Sequence, residues 1–141
     1  MPEHPLDQDK TPCEAWIDGA SSGNPGPAGA GVIIKKGNEL LGTWQEYLGR
    51  ATNNVAEYKS LILALRKSIE LKIARLVVYT DSELLYRQLT GRYRVRNPRL
   101  KELFAEIREL LKHFKTFSIK HIPREQNREA DRLARAARRR R

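Results

Sequence analysis

Between Leu48 and Asn53 the apolar pattern of this chain changes period. Upstream it has the two-residue alternation of strands. Cys13, Ala15 and Ile17 mark a first strand, Gly31-Val32-Ile33-Ile34-Lys35 a second, and Leu40, Gly42, Trp44, Glu46 and Leu48 one side of a third. Gly37-Asn38 supplies a hairpin turn between the last two. Downstream, Val55, Tyr58, Ile62, Leu65 and Ile69 stand three and four apart, one face of a helix. Thr52, Asn53 or Asn54 is placed to cap its start. An antiparallel meander that turns helical must lay the helix on the sheet to bury both apolar faces.

The pattern continues with alternating elements. Arg75 to Thr80 is a short, nearly continuous apolar run, read as a parallel-paired strand buried on both faces. Ser82 to Leu89 reads as a short helix closed by Thr90-Gly91, and Arg92 to Arg99 as a basic connector. Pro98 to Phe114 is a second long helix, with Leu100, Leu103, Phe104, Ile107, Leu110, Leu111 and Phe114 on its core face. Phe117 to Ile122 is a fifth strand, Pro123 to Gln126 a loop, and a last helix starts near Asn127 with Ala130, Leu133, Ala134 and Ala137. The order β-β-β-α-β-α-α-β-α predicts an α/β fold, a five-stranded mixed sheet with helices on its faces.

At 141 residues the chain is expected to hold one domain, residues 13–137, preceded by a flexible arm (1–12) and followed by a basic tail (138–141). The first residues lack the apolar core of a signal peptide, and no apolar run nears the roughly 20 residues that span a bilayer. The single cysteine, Cys13, reads as a core residue and points to a reducing, cytoplasmic setting. A net charge of +10 favours a polyanionic partner, nucleic acid above all. A membrane partner is not expected, since no basic amphipathic helix with an aromatic apolar face is present.

Four carboxylates carry the chemistry. Asp18 ends the first strand and meets a turn of small residues, Gly19 to Pro27. Asp81 follows the run Leu76 to Thr80, and Glu57 and Asp131 lie in the first turns of their helices. If the first and fourth strands are parallel neighbours, Asp18 and Asp81 meet beyond their carboxyl ends, where ligand sites of open α/β sheets lie. Glu57 is offset by one position from its helix's apolar stripe and flanks the core. Converging carboxylates repel one another unless cations neutralise them. Their hard oxygens suit Mg²⁺ or Mn²⁺, and no His/Cys cluster has zinc spacing. Each acid alone also reads as a turn residue, a dipole-favoured helix start or a surface charge.

The segments Asp18-Gly19-Ala20-Ser21-Ser22-Gly23-Asn24-Pro25-Gly26, Thr52-Asn53-Asn54-Val55-Ala56-Glu57-Tyr58, Thr80-Asp81-Ser82 and Asn127-Arg128-Glu129-Ala130-Asp131-Arg132-Leu133-Ala134 together resemble type 1 ribonuclease H, in a handle-less, archaeal-like form. The resemblance implies a ribonuclease H-like fold and cleavage of the RNA strand of RNA/DNA hybrids by two-metal in-line hydrolysis, leaving 5′-phosphate and 3′-hydroxyl ends. It implies that Asp18 bridges two metals, Asp131 completes the nucleophile-side one, and Glu57 and Asp81 serve the leaving-group side, Glu57 near the ribose 2′-hydroxyl. Backbone at Gly19 would meet the RNA strand. Asn24, Arg50 and Thr52 match a phosphate pocket for the DNA strand, with Asn53 and Asn54 reaching into the minor groove. A neutral donor set plus one Arg positions a phosphate without reading sequence.

Two catalytic assistants remain open. His121 has the offset from Asp131 of the family's proton-shuttling His but sits in a strand-like run, and Arg124 lies nearer. His121 is preferred, because imidazoles exchange protons near neutral pH and guanidiniums do not. Glu83 replaces a Gln that relatives often place beside the substrate, and an acid there repels phosphate. The family's basic handle is reduced to the connector, in which Arg92, Tyr93 and Arg94 form a basic, aromatic grip for the DNA strand. Cleavage of double-stranded RNA is left open. The alternative to a nuclease is a non-catalytic duplex-binding module of the same fold, which would be expected to lose a carboxylate. A junction resolvase or integrase-type transferase would bring different spacing and further domains. A monomer is expected.

Overall fold

Residues 10–139 are described by the computed structural model. Residues 1–9 of the expected arm, and Arg140 and Arg141 of the expected tail, lie outside the described residues. The elements are β1 (Cys13–Ser21), β2 (Gly26–Lys36), β3 (Glu39–Ala51), α1 (Asn53–Glu70), β4 (Arg75–Thr80), α2 (Glu83–Leu89), α3 (Pro98–Leu111), β5 (Thr116–His121) and α4 (Arg128–Ala137), with a 3₁₀ turn at Arg124–Gln126. The sheet order is β3-β2-β1-β4-β5. β1, β2 and β3 pair antiparallel, and β4 pairs parallel with both β1 and β5. This is the mixed five-stranded sheet expected from the pattern. No helix among the described residues is long and apolar enough to cross a membrane.

Several strand details differ from the expectation. β1 does not end at Asp18: Asp18, Gly19, Ala20 and Ser21 stay paired with Gly31, Ala30, Gly29 and Ala28 of β2. It is the parallel neighbour that stops, with Thr80 of β4 opposite Ile17. Asp18 therefore lies past the end of β4, not of its own strand. β3 does not keep one face from Leu40 to Leu48. Register shifts opposite Ala28/Gly29 and Ile34/Lys35 insert Leu48 and Leu41 as extra residues, and these two pack on the core while Leu40 is 55% exposed. β4 is buried on one face, by Leu76, Val78 and Thr80, and half-buried on the other. α3 ends at Leu111, and Phe114 packs on the core from beyond it.

Two helices cover opposite faces of the sheet. α1 is buried far beyond its expected stripe, because it is enclosed between the sheet and α3: Val55, Ala56, Tyr58, Leu61, Ile62, Leu63, Ala64 and Leu65 are all buried, while Ile69 is only half-buried. Full burial of each large apolar side chain there contributes about 1.5–3 kcal/mol. Thr52 caps it, accepting from the Val55 N–H at 3.2 Å. α4 lies on the other face, against β1 and β2. It approaches so closely that a Cβ on Gly31 would fall 2.4 Å from the Ala130 carbonyl oxygen, and one on Gly29 2.4 Å from that of Ala134. Beyond α4 this face is part-covered by Trp16 stacked on Tyr79, ring centroids 5.0 Å apart.

Candidate metal centre and nucleic-acid interface

Asp18 points to the α4 side of β1, as does its cross-strand partner Gly31. Gly19 faces α1, and a Cβ there would lie 2.2 Å from the Ala56 carbonyl carbon. That contact brings the first turn of α1 against the strand, so that Glu57 Oε1 accepts from the Gly19 N–H at 2.5 Å. Glu57 is thus buried, 5% exposed, rather than flanking the core. Asp81 follows β4 directly, beside Asp18. Ligand oxygens of Asp18, Glu57 and Asp81 lie within 4.8 Å of one another. Asp131, on the first turn of α4, faces Asp18 and accepts a hydrogen bond from its protonated carboxyl.

The electrostatics follow from this crowding. Burial pushes the Asp18 carboxyl up to about 10, with the charges of Glu57 and Asp81 adding to it. Burial also raises Glu57, to about 8, against the opposing Gly19 N–H donation. Burial acts upward on Asp131 too, but hydrogen bonds from Asp18 and Arg135 hold it below the usual range. The protein alone therefore holds protons among these acids at neutral pH. A divalent cation fits the donor set: clustered hard oxygens of Asp18, Glu57 and Asp81, whose mutual repulsion a cation would relieve.

Asn127 starts the last helix and one of the four motifs, but the sequence alone assigns its side chain no role. It is 1% exposed. Its Nδ2 donates to the Ile17 carbonyl at 2.8 Å and to Asp81 Oδ2 at 3.1 Å, tying β1, Asp81 and the entry to α4 together. Its position directly before a helix resembles a cap, which hides this role, because its side chain makes no cap bond. Arg135 and Arg138 were missed as well. Both line the cavity around the carboxylates, with Ala20, Ser21, Asn53 and Arg124. Arg135 Nε donates to Asp131 Oδ1 at 3.0 Å. Asp131, Arg135 and Arg138 stand at i, i+4 and i+7, one stripe of α4; that spacing was the available signal.

The other expected site residues fall into three groups. Asn24, Arg50, Thr52 and Asn53 come together: Asn24 Oδ1 accepts from the Asn53 N–H at 3.0 Å, and an Arg50 guanidinium nitrogen lies 3.4 Å from the Pro25 carbonyl oxygen. Asn54 is exposed beside them on the first turn of α1. His121 ends β5, with Nε2 3.3 Å from the Asp81 carbonyl oxygen and its ring stacked on Tyr86. It approaches Asp81 from outside the carboxylate cavity, which Arg124 lines. Arg92, Tyr93 and Arg94 lie apart from the cavity and fold back on α2: Arg92 sits over Tyr86, Arg87 over Tyr93, and the Arg94 carbonyl accepts from Gln88. Glu83 pairs with Arg87 at 2.8 Å.

A family model described as reverse transcriptase-like matches residues 17–137. The chain is 41% identical over 124 residues to ribonuclease HI of Halobacterium salinarum, covering 87% of this chain and 62% of that protein. Among solved structures, RNase H1 of Halobacterium salinarum superposes with a TM-score of 0.86 at 40% identity, covering 89% of this chain and 96% of that one. LC11-RNase H1, solved in complex with an RNA/DNA hybrid, superposes with a TM-score of 0.84 at 40% identity, covering 89% and 95%. The chain spans between 33% and 62% of the length of the first curated relatives it matches.

Proposed function

Because the chain belongs to the type 1 ribonuclease H family, we propose that it is a divalent-metal-dependent endonuclease that cuts the RNA strand of RNA/DNA hybrids. The observation that carries this is the convergence of Asp18, Glu57 and Asp81 within 4.8 Å, faced by Asp131. Asp18, Glu57 and Asp81 would hold one Mg²⁺ or Mn²⁺, and Asp18 with Asp131 a second. Such cations supply a charge that offsets the developing negative charge on phosphate and a water that ionises more readily.

The chain's own groups do the rest. Glu57 is held by the Gly19 N–H in one orientation, and Asp81 by Asn127. Backbone at Gly19 lies against the RNA strand. Asn24, whose Oδ1 is engaged by Asn53, keeps its Nδ2 donors for a DNA-strand phosphate, with Arg50 and Thr52 beside it. Asn53 and Asn54 reach the minor groove from the start of α1. Arg92, Tyr93 and Arg94 add contacts to the DNA strand further out. His121 moves a proton near Asp81, and Arg124 stabilises the ionised acids. The same proposal takes the protein as a cytoplasmic monomer.

The test is cleavage of a labelled RNA/DNA hybrid with Mg²⁺ or Mn²⁺, beside duplex RNA and duplex DNA, by the wild type and Asp81→Asn. Hybrid cutting that is lost in the variant is the expected result, and the duplex RNA lane reads the substrate range. A wild type that binds hybrid and cuts nothing with either metal is instead a duplex-binding module.

A further inference from the structure

α4 carries more than the fourth carboxylate. Its stripe Asp131, Arg135, Arg138 borders the cavity, and the two arginines differ in how they are engaged. Arg135 is paired with Asp131 at 3.0 Å. Arg138 Nε is shielded from solvent and has no hydrogen-bond partner among the described residues. A shielded guanidinium donor without an acceptor is costly unless a ligand supplies one. Its surroundings select the ligand. The cavity also presents Gly19, Ala20 and Ser21 of β1 and the carboxylates themselves. Arg135 and Arg138 line the same cavity as Asp18 and Asp131, so a phosphate strand held over those acids has this stripe beside it.

The backbone behind Arg138 is fixed. A Cβ on Gly29 would sit 2.7 Å from the Arg138 nitrogen, so the last turn of α4 is seated directly on β2. Arg132, by contrast, leaves the same helix on another face, where it pairs with Glu129 at 3.0 Å and is exposed. Charge alone does not distinguish the two arginines; position does.

We propose that Arg138 clamps a phosphate of the RNA strand next to the one being cut, through charge-assisted hydrogen bonds. This rests on the hybrid-nuclease reading. It assigns Arg138 to substrate binding, not to the reaction step.

The experiment measures hybrid binding by fluorescence anisotropy across a salt series, in an Asp81→Asn background that keeps the hybrid whole. Arg138→Gln is expected to weaken binding about tenfold, the worth of one charge-assisted hydrogen bond. It should also lower the salt slope by about one phosphate contact. Arg138→Lys should restore the slope, and Arg132→Gln should leave it unchanged. Hybrids with one neutral methylphosphonate, scanned along either strand, locate the contact. One RNA-strand position should weaken binding to the parent but not to Arg138→Gln. In the otherwise native chain, Arg138→Gln should raise KM and leave kcat unchanged. Circular dichroism melts confirm that each variant is folded. If Arg138→Gln and Arg132→Gln shift the slope equally, or if the position that loses its effect is on the DNA strand, the clamp is overturned while the nuclease reading stands. If the parent binds no hybrid at any salt, both fall.

Discussion

Replacing Asp18 by asparagine tests the cavity's electrostatics before any substrate is added. Asp18 is 5% exposed, and its carboxyl is pushed from 3.8 to about 10, first by burial and then by Glu57 and Asp81. In the absence of metal the folded protein keeps that proton at pH 7, whereas the unfolded chain has released it. A raised folded value contributes stability that is complete below the unfolded value of 3.8 and declines as pH rises, until the folded value near 10 is passed. At pH 7 the decline has run for about three units at roughly 1.4 kcal/mol each, a ceiling of about 4 kcal/mol. Asparagine keeps the shape, has no proton to retain, and its amide can still donate toward Asp131. Asp18→Asn should therefore stabilise the metal-free protein at pH 7 by about 2–4 kcal/mol. That corresponds to a rise in Tm of about 6–12 °C for a chain of this size. Differential scanning calorimetry in EDTA from pH 4 to 9 reads it. The difference should shrink toward zero near pH 4 and reverse when Mg²⁺ is added, since only the wild type gains the cation's binding energy. Equal Tm values at pH 7, or a gap that ignores pH, would refute the argument that burial and crowding hold the proton.

Three further outcomes follow from the same geometry. Asn127→Ala strips a donor from the Ile17 carbonyl and from Asp81; it should cost about 1–3 kcal/mol in urea unfolding and weaken Mn²⁺ binding by titration calorimetry, and unchanged values for both would remove its role. Gly31→Ala places a Cβ 2.4 Å from the Ala130 carbonyl oxygen and should destabilise by about 1–3 kcal/mol while reducing hybrid cleavage, so a wild-type unfolding midpoint would show that α4 yields easily. His121→Ala should lower kcat by about a hundredfold at unchanged KM and alter the pH–rate profile, the scale of general acid–base catalysis; full kcat in that variant, with loss in Arg124→Ala, would move the assisting role to Arg124.

Local periodicity made most of the frame legible. The switch at Asn53 and the run at Arg75 to Thr80 gave element type and nearly gave the boundaries, because backbone period is a local property of the chain. What periodicity could not carry were features set by partners distant in the chain. The extension of β1 past Asp18 depends on β2, whose Gly29 and Ala30 look like turn residues but pair along its length. The bulges at Leu41 and Leu48 depend on how β3 follows β2. The near-complete burial of α1 comes from α3 on its outer side. At the site, the three clustered acids were visible from their places after strands and at a helix start. Asn127 and Arg138 were not, since one resembles a cap and the other a charged helix end, and their meaning arises only across the sheet.

The glycine furrow of β2 also has a consequence in time. Asp18, Glu57 and Asp81 all lie within the first 81 residues, while the helix that brings Asp131 and its arginines is seated on Gly29 and Gly31. Synthesis proceeds from the N-terminus, so these three acids are made before α4. Until α4 is made, nothing of it covers Gly29 and Gly31, and the fourth acid is absent. The four-acid centre is thus complete only once α4, made after the three clustered acids, is seated on β2.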